Sequence, residues 1–91
     1  MYNLGMNDKH FVYMLLMKNG SLYCGYTNNL ENRFKEHLSG KGAKYTRAFK
    51  PIKIVYSKEF SSKSEALKEE YRIKHKLTHQ QKLELINDNF D

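Results

Sequence analysis

The chain of 91 residues has one cysteine, one proline and no long hydrophobic run. One cysteine excludes an internal disulfide, and the lack of partner cysteines argues against a thiolate zinc site. The longest apolar run, residues 11–17, is far shorter than the ~20 residues of a membrane-spanning helix. The N-terminus has no basic segment followed by a long apolar one, so it does not resemble a signal peptide. These absences predict a soluble, cytoplasmic protein that does not bind membranes.

Acidic residues are missing from one long stretch of the chain. No Asp or Glu occurs between His37 and Lys58, and the net charge of the whole chain is +6. Because the basic residues of this stretch account for the whole net charge, the positive field is localised. Such a field attracts polyanions, of which nucleic acid is the commonest. A solvated basic loop without a partner is the alternative. The basic residues are Lys41, Lys44, Arg47, Lys50, Lys53 and Lys58.

Turn and capping signals predict the secondary structure. Residues 10–17 and 22–26 are apolar runs on either side of a turn that contains Gly20, which is typical of a β-hairpin. The later elements follow from capping boxes and apolar spacing. They are a helix from the capping box of Asn28 and Glu31 to about residue 39, a short helix or an ordered loop at 43–49, a strand at 52–60, a helix from the capping box of Ser62 and Glu65 to about 77, and a helix at about 79–87.

The order of these elements, β-β-α-β-α-α around the basic segment, predicts the fold class. Three short strands cannot bury both faces of a sheet, so helices have to cover it, and the result is an α+β domain with a three-stranded antiparallel sheet. The length allows one domain. We assign it to residues 10–87, with residues 1–9 as a flexible lead-in and residues 88–91 as a flexible tail.

The helix that begins at Ser62 carries a carboxylate on its apolar side. At about 100° per residue, Ala66, Ile73 and Leu77 form the buried stripe of this helix, and Glu70 falls inside that stripe. A carboxylate in such a place is costly unless a donor or a cation meets it. Glu70 therefore pairs with a buried lysine, reaches water past the small Ala66, or binds a metal ion such as Mg²⁺, which prefers oxygen ligands.

The first helix also has polar residues beside its apolar stripe. Arg33 and His37 form an i, i+4 pair along the edge of the stripe that contains Leu30 and Phe34. Alone, such a pair is most often a boundary feature. The sheet, however, is expected to bring this helix, the hairpin and the helix of Glu70 around a common centre, where the pair gains significance.

Tyrosines and a glycine are unusual in the predicted hairpin. Tyr13 and Tyr23, ten residues apart across a short turn, are expected on neighbouring strands with their side chains on the same face of the sheet. Gly25 would let a phosphate or a helix approach the backbone closely. Core aromatic residues in a plain hairpin are the alternative interpretation.

These residues together resemble a known family. The segment "FVYML", followed ten residues later by "YCGYT", resembles the paired motif of the GIY-YIG nuclease superfamily. Arg33 and His37 on the next helix, and Glu70 within "EALKEEYRIK", stand where that family has its active site. The segment "GKGAKYTR" at residues 40–47 is similar to that of small stand-alone bacterial members. The resemblance covers residues 10–83.

The resemblance implies an endonuclease that cleaves DNA phosphodiester bonds according to DNA structure, using one Mg²⁺ or Mn²⁺ ion. Glu70 would bind the metal, Arg33 would bind the phosphate, and Tyr13, Tyr23 or His37 would activate the attacking water. Nearby cations are expected to lower the pKa of the tyrosine base. Nucleic acid, DNA more than RNA, is the expected partner, and a further protein partner is left open. The residues expected to contact nucleic acid are Gly25, Lys41, Lys44, Tyr45, Arg47 and Lys50.

Two alternatives belong to other functional classes. The motifs have Phe11-Val12-Tyr13 and Tyr23-Cys24-Gly25 where the family has Gly-Ile-Tyr and Tyr-Ile-Gly, and the asparagine that many active members carry downstream of the glutamate is missing before Asn87. A nucleic-acid-binding module that keeps the scaffold without cleaving is therefore one alternative. A protein-interaction domain with an incidental basic loop is the other.

Overall fold

The computed structural model describes residues 9–88, which form three strands and four helices. The elements are β1 His10–Met17, β2 Leu22–Thr27, α1 Leu30–Leu38, α2 Lys44–Phe49, β3 Pro51–Phe60, α3 Lys63–Lys76 and α4 His79–Asp88. This order confirms the predicted α+β class, and the segment left open between helix and loop is helix α2. The predicted lead-in and tail lie outside the described residues, except that Lys9 precedes β1 and Asp88 ends α4.

The sheet is antiparallel, with strand order β2-β1-β3. In the pairing of β1 with β2, Tyr13 lies opposite Gly25 and Leu15 lies opposite Tyr23. Because side chains alternate between the faces of a strand, Tyr13 and Tyr23 share one face, as the sequence predicted. Their ring centroids are 6.4 Å apart.

A different helix covers each face of the sheet. On one face, Val12 and Met14 are fully buried with Ala66 and Ile73 of α3. On the other face, the cluster of Tyr13, Leu15 and Met17 packs against Leu30 and Phe34 of α1. The alternation of buried residues along β1 therefore places α1 and α3 on opposite faces. No helix within residues 9–88 is long and apolar enough to cross a membrane.

The start of α1 differs by one residue from the prediction. Its N-cap is Asn29, whose side chain accepts a hydrogen bond of 3.0 Å from the backbone N–H of Asn32. The hydroxyl of Thr27, the last residue of β2, accepts a hydrogen bond of 3.1 Å from the backbone N–H of Asn29, and this bond fixes Asn29 in the capping position. The predicted capping box of Asn28 with Glu31 is therefore wrong.

The predicted start of α3 is confirmed. Ser62 caps the helix and accepts a hydrogen bond of 3.1 Å from the backbone N–H of Glu65. The helix ends at Lys76, with Leu77 in an extended conformation.

Candidate active site

The centre of the site is a buried hydrogen bond between a tyrosine and a histidine. The hydroxyl of Tyr13 on β1 lies 2.8 Å from Nε2 of His37 on α1, and the two residues are 1% and 0% exposed. Gly25 on β2 makes room for the phenol, since a Cβ atom at this position would stand 2.5 Å from the Tyr13 hydroxyl. The side chain that comes close to the Gly25 backbone is thus Tyr13. Contact between Gly25 and nucleic acid stays a prediction.

The "GKGAKYTR" segment holds the other side of the His37 ring. Nδ1 of His37 lies 2.8 Å from the hydroxyl of Thr46, which donates to the backbone carbonyl of Ala43 at 2.8 Å. Thr46 is fully buried, although it belongs to a helix of only six residues. Gly42 allows this close approach, because a Cβ atom at Gly42 would overlap the His37 ring. The segment therefore contributes to the geometry of the site as well as to its charge.

Aromatic rings extend from this centre toward solvent. Tyr23 contacts His37 edge-on with ring centroids 5.3 Å apart, and it stacks on Tyr45 at 6.2 Å with nearly parallel rings. Tyr45 in turn contacts Phe49 at 4.8 Å. Because Tyr45 and Phe49 are exposed, the outer end of this row presents aromatic surface at which a nucleobase can stack.

Arg33 lies beside the Tyr13 hydroxyl on the same face. Its guanidinium group donates to Glu36 at 2.9 Å, and its side chain is 31% exposed. Burial of the phenol, followed by the nearby Tyr23, raises the pKa of Tyr13. Arg33 acts in the opposite direction, as expected for a nearby cation, but its effect is smaller, so the net shift of the pKa is upward. Burial, followed by the charge of Arg33, lowers the pKa of His37. The pair is therefore a neutral phenol and a neutral imidazole at pH 7.

Glu70 lies on the other face of the sheet, on α3. One of its oxygens is 3.0 Å from Nζ of Lys74, and the same Nζ lies 5.9 Å from the centroid of the Tyr23 ring. The structure thus shows the lysine pair that the sequence left open as one environment for Glu70. The sequence predicted that α1, the hairpin and the helix of Glu70 meet around one common centre. The structure instead has two cores, one on each face of the sheet. The tyrosine–histidine cluster and Glu70 approach each other around the edge strand β2, through Lys74.

The residues present allow a metal site only of a limited kind. Within residues 9–88, no group of three or more His, Cys, Asp or Glu side chains is arranged to hold a metal ion. Mg²⁺ commonly binds to one or two carboxylates and completes its shell with waters and substrate phosphate oxygens. Glu70, with a side chain 19% exposed, fits that pattern as a single protein ligand once Lys74 releases its oxygen.

Five of the six predicted nucleic-acid-binding residues lie on one exposed segment, and the sixth, Gly25, is buried on β2. Lys44, Tyr45 and Arg47 lie on α2, Lys41 lies in the loop before it and Lys50 directly follows it, and all five are exposed. Thr46 is the buried residue of α2. This helix therefore turns one side toward His37 and carries positive charge on the residues exposed to solvent.

The fold and this arrangement define the class to which the chain belongs. A family model described as the GIY-YIG catalytic domain matches residues 9–84, so the protein belongs to the GIY-YIG family, which is a nuclease family. Its relatives are small bacterial UPF0213 proteins. One from Oceanobacillus iheyensis is 54% identical over 81 residues, which is 89% of this chain and 93% of that protein.

A second relative and a solved structure agree with this assignment. A UPF0213 protein of Staphylococcus saprophyticus is 48% identical over 81 residues, covering 89% of this chain and 98% of the relative. The solution NMR structure of a UPF0213 protein from Bacillus halodurans has a TM-score of 0.59 and 46% identity, and the match covers 89% of this chain and 85% of that one. The predicted family is therefore confirmed.

Three residues of the site were not singled out from the sequence. Lys74 follows Glu70 by four residues, and this spacing on a helix was a usable signal for an ion pair. Thr46 and Gly42 gave no comparable signal, since their role depends on how α2 packs against α1. The structure brings together Tyr13, Tyr23, Arg33 and His37, which the sequence analysis names as candidate site residues, and it adds Thr46 to them.

Proposed function

We propose that the protein is an endonuclease that hydrolyses phosphodiester bonds in DNA with the help of one divalent cation. The observation that supports this most is the buried hydrogen bond of 2.8 Å between the Tyr13 hydroxyl and Nε2 of His37. It joins an ionisable phenol to a neutral imidazole that can accept its proton. Arg33 beside the phenol supplies a planar donor suited to phosphate oxygens.

Hydrolysis requires that an attacking water loses a proton and that the phosphate gains negative charge. His37 takes the proton of Tyr13, and the phenolate so formed deprotonates the water. Its charge is favoured when cations stand close to it, and Arg33 is a cation whose charge acts on the phenol. A Mg²⁺ or Mn²⁺ ion bound to Glu70 would polarise the phosphate and stabilise the departing oxygen.

Access to Tyr13 is the main requirement of this mechanism. The phenol is 1% exposed, so water reaches its oxygen only after a neighbouring side chain moves. Arg33 interacts electrostatically with the phenol and is itself partly exposed. A phosphate that binds Arg33 draws the guanidinium outward and opens this path. Arg33 then changes its partner from Glu36 to the substrate, which links substrate binding to activation of the base.

The exposed residues around α2 indicate how DNA is held. Lys41, Lys44, Arg47 and Lys50 contact the phosphate backbone, and Tyr45 stacks on an unpaired base. None of these contacts carries sequence information. We therefore expect recognition of DNA structure or ends, and an affinity that falls steeply with salt.

A non-catalytic nucleic-acid-binding module is the second candidate. It is favoured by the ion pair of Glu70 with Lys74, which occupies the only carboxylate assigned to the metal, and by the burial of Tyr13. Binding needs only the exposed face around α2, whereas cleavage needs Tyr13, Arg33 and Glu70 together.

One set of experiments separates the two candidates. Purified protein is incubated with nicked, branched and flap DNA and with Mg²⁺ or Mn²⁺, and binding is measured on the same DNAs at several salt concentrations. Tyr13→Phe and Glu70→Gln are compared with their matched controls, Tyr71→Phe and Glu84→Gln. Tyr71 lies exposed on α3 and Glu84 exposed on α4.

Cleavage that is lost in the first pair of variants and kept in the control pair supports the nuclease. Salt-dependent binding without cleavage by the unmodified protein supports the binding module instead. If the protein neither cleaves nor binds any of these DNAs, both candidates fall and the protein-interaction alternative gains.

A further inference from the structure

We propose that Thr46 is a positioning residue that fixes the tautomer of His37, with the proton on Nδ1 and with Nε2 free to accept a proton from Tyr13. The geometry is a chain of three hydrogen bonds of 2.8 Å each, running from Tyr13 through His37 and Thr46 to the carbonyl of Ala43. All three side chains are at most 1% exposed. The direction of the donors along this chain decides what His37 can do.

The Thr46 end of the chain sets the direction. A hydroxyl group has one hydrogen, and Thr46 donates it to the carbonyl of Ala43, which can only accept. The contact between Thr46 and His37 must then be a bond donated by His37, so Nδ1 carries the ring hydrogen of the neutral imidazole. The remaining nitrogen, Nε2, is left as an acceptor.

The Tyr13 end of the chain is consistent with the same direction. The hydrogen of the phenol needs an acceptor, because the side chain is buried. Nε2 of His37 is the acceptor at hydrogen-bond distance. If Nε2 carried the hydrogen instead, the buried hydrogen of the phenol would lose this acceptor, which is unfavourable.

The consequence for chemistry rests on the function proposed above, whereas the tautomer itself does not. Only the tautomer with the hydrogen on Nδ1 can take the proton of Tyr13 at Nε2. The positive charge that forms on His37 is then shared with Thr46 through Nδ1. Gly42 contributes by leaving space for the ring. Thr46 thus acts through His37, without touching the substrate.

The test measures the tautomer directly. The protein is labelled with ¹⁵N in its histidine rings, and the ring nitrogen shifts of His37 are recorded at a pH where the ring is neutral, for the unmodified protein, Thr46→Ser and Thr46→Val. Valine has nearly the same shape as threonine but cannot accept a hydrogen bond, while serine can. We expect the proton on Nδ1 in the unmodified protein and in Thr46→Ser, and its loss from Nδ1, wholly or in part, in Thr46→Val.

Two results would overturn the proposal. A proton on Nε2 in the unmodified protein would mean that Thr46 donates to His37, and an unchanged tautomer in Thr46→Val would mean that other contacts set it. If Thr46→Val does not fold, the measurement on the unmodified protein and on Thr46→Ser still decides the direction of the chain.

Cleavage assays then separate this inference from the proposed function. If the protein cleaves DNA, Thr46→Val should cleave about 100-fold more slowly, which is the size of a lost general-base contribution, and Thr46→Ser should restore most of the rate. Absence of cleavage by the unmodified protein would refute the nuclease proposal and leave the tautomer result standing. A tautomer that changes in Thr46→Val without any change in rate would refute the role of Thr46 in catalysis.

Discussion

Lowering the pH should destabilise the protein through His37. The ring is fully buried, Nε2 is hydrogen-bonded to the Tyr13 hydroxyl, and Arg33 stands nearby, so protonation would remove the one acceptor nitrogen of the ring and place a charge near another positive charge. Burial and Arg33 lower the pKa of His37 below its usual 6.5, while Glu36 opposes them. Because the unfolded chain then binds the proton more readily than the folded one, stability is complete above pH 6.5 and is lost as the pH falls toward the folded pKa.

The size of the loss follows from this linkage. Each pH unit between the two pKa values removes about 1.4 kcal/mol from the free energy of unfolding. Between about pH 7.5 and about pH 5.5 the loss has an upper limit of about 1.4 kcal/mol, which is reached when folded His37 takes up no proton in that range. Glu69, whose pKa is lowered by its hydrogen bond with Arg72, acts only in a more acidic window.

Urea denaturation at a series of pH values measures this effect. Histidine-to-glutamine variants at His37 and at the exposed His79 form a matched pair, since each removes one histidine. The unmodified protein and His79→Gln should lose stability alike between about pH 7.5 and pH 5.5, and His37→Gln should lose less. An equal pH dependence in all three proteins would show that His37 is protonated as easily in the fold as outside it. That result would refute its burial between Tyr13 and Thr46.

Three further predictions concern packing, capping and reactivity. Gly25→Ala should lower the free energy of unfolding by about 1–3 kcal/mol because the added Cβ meets the Tyr13 ring, and equal stability of the variant in urea would contradict that contact. Asn29→Ala should lower the free energy of unfolding by about 1 kcal/mol and Asn28→Ala should lower it less, because Asn29 is the residue that caps α1. The same urea titrations measure both variants, and a larger loss in Asn28→Ala would show that Asn28 is the cap. The Cys24 thiol should resist alkylation near pH 8 until the protein unfolds, because burial raises its pKa to about 12, and rapid labelling of the native protein would speak against this burial.

The strands and the three longer helices followed from the sequence because each has a local signal, whereas residues 43–49 were left open between a helix and a loop. Two apolar runs on either side of a turn predict the hairpin, and Ser62 with Glu65 predicts the start of α3. The start of α1 was misplaced because two adjacent asparagines are equally good caps locally. The hydroxyl of Thr27, across the end of β2, decides between them.

The site was predictable in its parts and not in its arrangement. Tyr13, Arg33, His37 and Glu70 stand out by residue type and helical position. Their division between two faces of the sheet depends on which helix packs on which face, and each face of a three-stranded sheet can accept either helix. Thr46 illustrates the same limit, because its burial arises from contact between helices that are joined by a loop.

The buried tyrosine–histidine pair bears on the choice between a nuclease and a binding module. A module that only binds DNA needs the exposed charges around α2 and does not need the hydrogen bond between Tyr13 and His37 beneath them. Two apolar side chains of similar volume would fill the space that Tyr13 and His37 occupy, without the cost of desolvating a phenol and an imidazole. This chain instead uses Gly25 to make room for the phenol and Gly42 to make room for the imidazole. Stability alone does not account for two glycines placed to keep one hydrogen bond, whereas the proton transfer proposed for the nuclease would account for both.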